Sequence, residues 1–391
     1  MKRLAYLSGA PRVSTSPTAE AGGPRTHVLG MIGGFERAGW RVDRYIAGDE
    51  PWAGPFARGG AEASVRKARW RSYAIDGLRM ATGAYNARAA THRIEQADLA
   101  YERFGSFQSL GRGFQRSGTP WVLETSAPFF HEARTERGTL ALTGAAQRVE
   151  LAAYRDCDLL VCVSEPLRDF LIEAGVPDGH LTVVPNGVDV DRFDPAPFAA
   201  MERGDELVVG FVGVVLAWQG IDTLVEAMAL LQERGVPVVA EIVGDGPALD
   251  DLRRLALERG VTDRVRFGGR VPATAVPEHL AGFDLGYSGH LPLLEGRMYH
   301  SPLKLYEYLA MGKPLVAADH AEARSLVKRS GAGHLFPSGD VEALAAALTT
   351  AAEELDVVRA AGERVRAHVV AEHSWDCRVA DLQDELGRRG L

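Results

Sequence analysis

The chain has 391 residues, 46% of them apolar and 25% charged, with a net charge of −8. That length is more than one hydrophobic core serves, so two domains of ordinary globular composition are expected. The negative balance argues against broad nucleic-acid binding, and no run of about 18 apolar residues exists to span a membrane.

The first residues, MKRLAYLSGAPR, lack the apolar stretch of a secretion signal and read as a strand over 4–9. A loop with Gly22 and Gly23 follows, and Pro24 opens a helix whose apolar spacing runs over 27–39 and stops on Gly39. A second strand is predicted over 40–48. Residues 65–93 stand apart: Arg66, Lys67, Arg69, Arg71, Arg79, Arg88 and Arg93 face a single Asp76. A basic amphipathic helix of this kind forms a solvated face, lies beside an acceptor site, or rests on an anionic membrane surface. Further strands are predicted at 98–103, 119–125, 157–164 and 181–186, with helices between them such as 167–175. Cys157, Cys162 and Cys377 have no metal-ligand spacing and are expected to be reduced and buried, which suits a cytoplasmic protein.

Residues 188–206 are rich in Asp and Pro, have weak periodicity, and read as a linker. A second series follows it: strands at 207–213, 236–247, 265–269, 283–289 and 314–319, and helices at 221–235, 249–260, 302–311 and 341–354. This alternation predicts the α/β class, with parallel sheets covered on both faces. Two Rossmann-like, doubly wound domains are expected, over 1–188 and 189–371. Residues 372–391 would cross back to the first, with Trp375 as a packing anchor. Ligands in such sheets lie beyond the carboxyl ends of the strands, and two such domains facing each other would frame a central cleft.

The most informative stretch is HSPLKLYEYLAMGKPLV, residues 300–316. Ser301 suits a helix cap, Pro302 the first helical position and Gly312 the stop. Lys304 and Glu307 lie one turn apart on a short helix that is otherwise apolar. They form either a plain ion pair or a ligand site. A diphosphate would find the free N–H groups of Leu303 and Lys304, the positive end of the helix dipole, and the Lys304 ammonium. The acceptor-only carboxylate of Glu307 matches two adjacent hydroxyls, as a ribose presents. Gly22 and Gly23 would let backbone approach donor phosphates, but G-x-G-x-x-G after the first strand is absent, which counts against a dehydrogenase. His27 faces an acceptor or is a packed or capping residue. Asp189-Val190-Asp191 has a D-x-D pattern but is expected to fix the turn after Asn186-Gly187; no metal site is predicted.

Five phrases in order, VVPNGVDVDRF (183–193), VVGFVG with WQGIDTLVEAM (208–228), IVGDGP (242–247), VRFGGRV (265–271) and SPLKLYEYLAMGKPLVA (301–317), resemble family 4 of the retaining glycosyltransferases, which share the GT-B architecture. AGGPRTHV (21–28), YERFGSFQSLG (101–111) and VLETSAPFFHEA (122–133) add to the likeness. The resemblance implies a nucleotide-diphosphate sugar, UDP- or another, held mostly by the second domain. It also implies an acceptor with a free hydroxyl on the first domain, retention of configuration, and no cofactor, the donor being a substrate. The family's ribose-binding glutamate matches Glu307, and Phe267 to Val271 would wall the base, with Arg270 nearby. An arginine just after the strand-ending glycine, here Gly213, and a lysine before the next glycine are usual; here they read Val214 and Gln219. Lys304 and Arg297 are the better compensating cations, ahead of Arg270 and His300. The earlier of the family's two glutamates reads Tyr299, with Glu295 near it as a substitute. A histidine of many relatives reads Ser126, leaving Glu124 as the nearest ionisable group, to orient the acceptor or cap a turn. A small soluble or natural-product acceptor is the first expectation. A lipid-linked glycan or an inactive nucleotide-sugar-binding subunit are the alternatives.

Overall fold

The computed structural model describes residues 1–17, 19, 22–53, 69–135, 140–292 and 296–391. They divide into two compact units: Met1–Asn186 with Tyr299–Ser301 and Arg378–Leu391, and Gly187–Met298 with Pro302–Cys377.

The first unit carries strands β1 (Arg3–Ser8), β2 (Arg41–Ile46), β3 (Leu99–Arg103), β4 (Trp121–Thr125), β5 (Leu159–Cys162) and β6 (Leu181–Val183). Their order in the sheet is β2-β1-β3-β4-β5-β6, parallel throughout. The second unit carries β7 (Leu207–Val212), β8 (Val238–Val243), β9 (Val265–Gly269), β10 (Leu285–Ser288), β11 (Leu315–Ala318) and β12 (Gly333–Phe336), ordered β12-β11-β10-β7-β8-β9, again parallel. Strands such as WVLET and LVAA are buried along their whole length, because helices cover both faces of a parallel sheet. Strand order reverses between β1 and β3 in one unit and between β7 and β10 in the other, and the crevice of a doubly wound sheet opens at such a point.

Each face of the second sheet has its own core. The helices Ile221–Glu233 and Val341–Glu353 set Leu224, Met228, Leu344 and Leu348 against one face. Tyr308 and Leu309 of the helix Leu303–Ala310 join Val365 and Val369 on the other. In the first unit, Glu102 is fully buried between strands and accepts the Leu110 and Gly111 N–H groups, each at 2.8 Å. Burial pushes its carboxyl up to about 7 against those two bonds.

The helix Ala321–Ser330 and strand β12 are absent from the pattern read above. The strand is four residues long at a sheet edge, and the helix buries only Ala323, Leu326 and Ser330, so neither leaves a strong periodic trace. Cys157 and Cys162 are buried and Cys377 is half-buried, all three as free thiols. The buried Trp375 lies with the second unit, its N–H donating to the Val188 carbonyl at 3.2 Å. Further along the helix Trp375–Arg389, Arg389 donates to the Gly179 carbonyl at 2.6 Å and the Leu181 carbonyl at 3.2 Å, which ties the chain end to β6. Among the described residues no helix is long and apolar enough to cross a membrane.

Candidate functional site

In the second unit the chain leaves β7 through Gly213, whose φ of 150° an L side chain rarely adopts. Gly244, leaving β8 at φ 145°, packs so closely that an added Cβ would lie 1.8 Å from the Gly213 carbonyl oxygen. These two glycines let adjacent strand ends meet backbone to backbone. Lys304 reaches this point from the helix Leu303–Ala310: its Nζ lies 4.1 Å from the centroid of the Phe211 ring and donates to Gln219 Oε1 at 2.5 Å. A Cβ on Gly213 would stand 3.6 Å from the same ammonium.

The plain Lys304–Glu307 ion pair is therefore not formed. Lys304 turns to Gln219, and Glu307 makes no hydrogen bond or ion pair among the described residues. Burial pulls the Lys304 ammonium down to about 7, opposed by the Glu307 charge. Burial likewise raises the Glu307 carboxyl, against the charges of Arg192 and Lys304. Gln219 stands where a cation was expected, and its amide does what a cation could not. A second ammonium there would repel Lys304, whereas the neutral amide oxygen holds it. Val214 is an apolar side chain left 57% exposed just past β7.

The helix start differs from the expected one. Pro302 is the cap residue rather than the first helical residue, and no side chain caps the helix. Ser301 is occupied elsewhere: its hydroxyl accepts the Asn186 N–H at 3.0 Å, and its carbonyl accepts the Asn186 side-chain amide. The leading N–H groups of the Leu303–Ala310 helix are thus left without a side-chain acceptor. Gly22 also departs from expectation. It caps the helix Gly23–Arg37 in extended backbone at φ −172°, which any residue adopts.

In the first unit, His27 and Glu124 meet at the reversal between β1 and β3. His27 is 4% exposed; its Nε2 lies 2.8 Å from Glu124 Oε2 and its Nδ1 2.7 Å from Asn186 Oδ1. The Asn186 amide nitrogen is turned to Ser301, so both imidazole nitrogens face oxygen atoms. Glu124 also accepts from Tyr101 Oη at 2.5 Å and Arg103 Nη1 at 2.9 Å. Burial works against its charge, but His27 and Arg103 overcome this and hold its carboxyl at about 2. Three side chains, His27, Tyr101 and Arg103, thus converge on the two oxygens of Glu124. Arg103 extends to Ser126 Oγ at 3.4 Å. Tyr299, which stands at the place of the family's earlier glutamate, is buried and donates to Glu132 Oε1 at 2.6 Å.

Arg103 and Asn186 are not singled out in the sequence as site residues, and Gln219 stands out there only as a missing cation. Arg103 and Asn186 lie inside the quoted YERF and PNG phrases, and their neighbours 21 and 115 residues away are what mark them. Arg270 is exposed just after β9, Val271 and His300 are half-buried, and so is Arg297. Glu295 lies outside the described residues. Asp189 Oδ1 accepts the Arg192 N–H at 3.0 Å, a turn-fixing bond. Among the described residues, the group whose ligand atoms lie within 4.8 Å of one another is His368, Glu372 and His373, and Glu372 there is already paired with Arg329.

Residues 21–192 match the family model described as Glycosyltransferase Family 4, and residues 194–368 the model described as Glycosyl transferases group 1. A GDP-mannose-dependent alpha-(1-6)-phosphatidylinositol monomannoside mannosyltransferase of Mycobacterium tuberculosis is 31% identical over 240 residues, 59% of this chain and 61% of the relative. A putative colanic acid biosynthesis glycosyltransferase, WcaL of Escherichia coli, is 30% identical over 230 residues, 59% of this chain and 56% of the relative. The chain thus spans about three fifths of the length of the curated relatives it matches. Sucrose-phosphate synthase of Thermosynechococcus elongatus superposes over 99% of both chains with a TM-score of 0.74 at 18% identity. Anabaena HepE, solved with UDP, covers 99% of this chain and 100% of its own with a TM-score of 0.69 at 19% identity, a likeness of fold.

Proposed function

The chain belongs to the group 1, family 4 glycosyltransferases, and from that premise we propose that it moves a sugar from a nucleoside-diphosphate donor to an acceptor hydroxyl, with retention and without a metal. The observation that carries the reading is the start of the helix Leu303–Ala310. An uncapped helix terminus and a buried ammonium, Lys304, stand beside the Gly213 turn, and one turn on is a carboxylate with no partner among the described residues. The N–H groups and Lys304 would take up the charge growing on the departing diphosphate. Glu307 would accept the two ribose hydroxyls. The departing phosphate oxygen would receive the acceptor's proton. His27, Glu124 and Arg103 in the first unit would position the acceptor. Sugar-nucleotide complexes in this fold, such as HepE with UDP-glucose, and the GDP-mannose named for the mycobacterial relative support the donor class.

UDP and GDP, titrated separately, should identify the base: the matching one raises the melting temperature saturably. Glu307→Ala should remove that shift and lower kcat/KM for the matching nucleotide sugar by about 10- to 100-fold, mainly through KM. Binding of a nucleoside diphosphate without any turnover of its sugars would leave only the inactive-subunit reading.

For the acceptor, a lipid-linked one is the better supported reading. In the helix Arg69–Arg93 the single acid, Asp76, is fully buried; it pairs with Arg79 and accepts the Ala141 and Leu142 N–H groups. The outward face is apolar: Tyr73 and Met80, seven apart, and Leu78 and Tyr85, seven apart, are all among the exposed large side chains, with Arg88 exposed near them. Exposed apolar side chains beside an exposed arginine suit an anionic lipid surface. A phosphatidylinositol-based acceptor is in the printed name of the mycobacterial relative. Pelleting with anionic vesicles should be salt-sensitive, and the double variant Leu78→Glu, Tyr85→Glu should weaken it at least about tenfold. Pelleting indifferent to both would return the acceptor to the small soluble class.

A further inference from the structure

The second unit contains a cavity of about 320 Å³ at the amino ends of its central strands, opposite Gly213 and Lys304. Its charged lining comes from residues that precede strands: Arg203 before β7 and Lys313 before β11, with Asp284, just before β10, behind them. Arg366 and Asp194 close one side, and Phe198 and Ala281 supply apolar wall.

The acids around this cavity are already satisfied, while the cations exceed them. Asp284 is held by Arg203 at 3.3 Å, by Arg359 at 2.8 Å and by the Val208 N–H at 2.9 Å. Asp194 pairs with Arg366 at 3.2 Å and accepts the Ala196 N–H. Arg366 also donates to the carbonyls of Phe193 at 2.6 Å and Ala310 at 2.5 Å. Of the residues lining the cavity, Arg203, Lys313 and Arg366 are cations and Asp194 is a carboxylate, with Asp284 behind Arg203; Arg359, on the far side of Asp284, is also faced by Asp356 and Asp205. Lys313 is the anomaly. It is 3% exposed, and its ammonium, which has three hydrogens to give, makes one hydrogen bond among the described residues, to the Ala281 carbonyl at 2.7 Å. A buried cation with spare donors on the wall of a positive cavity is costly unless an anion completes it. Burial, and then Arg203, pulls its pKa down to about 7, the direction an arriving anion would reverse.

We propose that this cavity binds a phosphate group, free or carried by a small phosphomonoester, with Lys313 and Arg203 as its charge partners. Phosphate oxygens accept hydrogen bonds, which the spare N–H groups of Lys313 and the guanidinium of Arg203 can give. The volume leaves room for a few carbon atoms against Phe198 and Ala281. The site is separate from the donor site, since it lies at the amino ends of β7, β10 and β11, whereas Gly213 follows the carboxyl end of β7.

The test is thermal shift of the whole chain with inorganic phosphate and with glycerol 3-phosphate, each against chloride at matched ionic strength. A saturable rise of about 2 °C or more near ten times Kd is expected. It should be lost in Lys313→Met and in Ala199→Phe, which fills the cavity while keeping the lysine, and it should survive in Lys304→Met. A larger rise with glycerol 3-phosphate identifies a phosphomonoester as the ligand; equal rises identify phosphate itself. No saturable rise, one that persists in Ala199→Phe, or one lost in Lys304→Met overturns the proposal. The last result would place the phosphate at the donor site instead.

Discussion

Lys304→Met should lower kcat/KM for the nucleotide-sugar donor by about 10²- to 10³-fold, the loss expected when a group stabilising the leaving charge is removed from a water-poor site. The same change should stabilise the fold at neutral pH. The lysine titrates near 7 in the folded chain against an ordinary 10.5, so its burial costs stability while the unfolded chain still holds the proton. That cost is full below about pH 7 and fades as pH rises to 10.5, so the variant's advantage, on the order of a few kcal/mol, should shrink over the same interval. Activity should run the other way. In wild type, kcat/KM should fall as pH rises through about 7, because the free protein loses the ammonium proposed to meet the diphosphate. The variant should lack that limb. Urea melts at pH 6 and 10, with a pH–rate profile for both proteins, measure all of this. A variant as active as wild type, with the same pH limb, would remove Lys304 from the reaction.

Glu124→Gln should be the most damaging change in the first unit. It removes the anion on which His27, Tyr101 and Arg103 converge and leaves buried positive charge uncompensated, at a cost of about 3–5 kcal/mol. Its carboxyl is held at about 2, below the ordinary 4.5, so its contribution is complete above about pH 4.5 and is lost as pH falls towards 2. The acid limb of stability seen in wild type over that interval should therefore flatten in the variant. Because Glu124 acts on the first unit, sugar transfer to acceptor should collapse while the thermal shift with the matching nucleoside diphosphate persists. Loss of the nucleotide shift with transfer intact would reverse the assignment of the two units.

The residues legible in advance were those whose reason is local. Strand and helix alternation shows in hydrophobic spacing, because burial on two faces or one repeats along the chain, and glycine and proline punctuate it where φ demands. The lysine and glutamate of the 303–310 helix were visible because a cation and an anion stand out in an apolar run, and the phrases around them carried the family. What each polar group touches was not visible, because direction and partner depend on chain brought in from elsewhere. Ser301 looks like a cap until Asn186, 115 residues away, takes its hydroxyl. Gln219 looks like a lost cation until Lys304, 85 residues on, is seen to need an oxygen. Glu124 looks available until His27, 97 residues back, and two side chains of the neighbouring strand β3 fill its oxygens. Local pattern decided which segments are buried and in what form; only the packed sheets decided which buried charges are neutralised by protein and which, as at Glu307 and Lys313, are left with capacity to spare, since a hydrogen bond depends on distance in space and not along the chain.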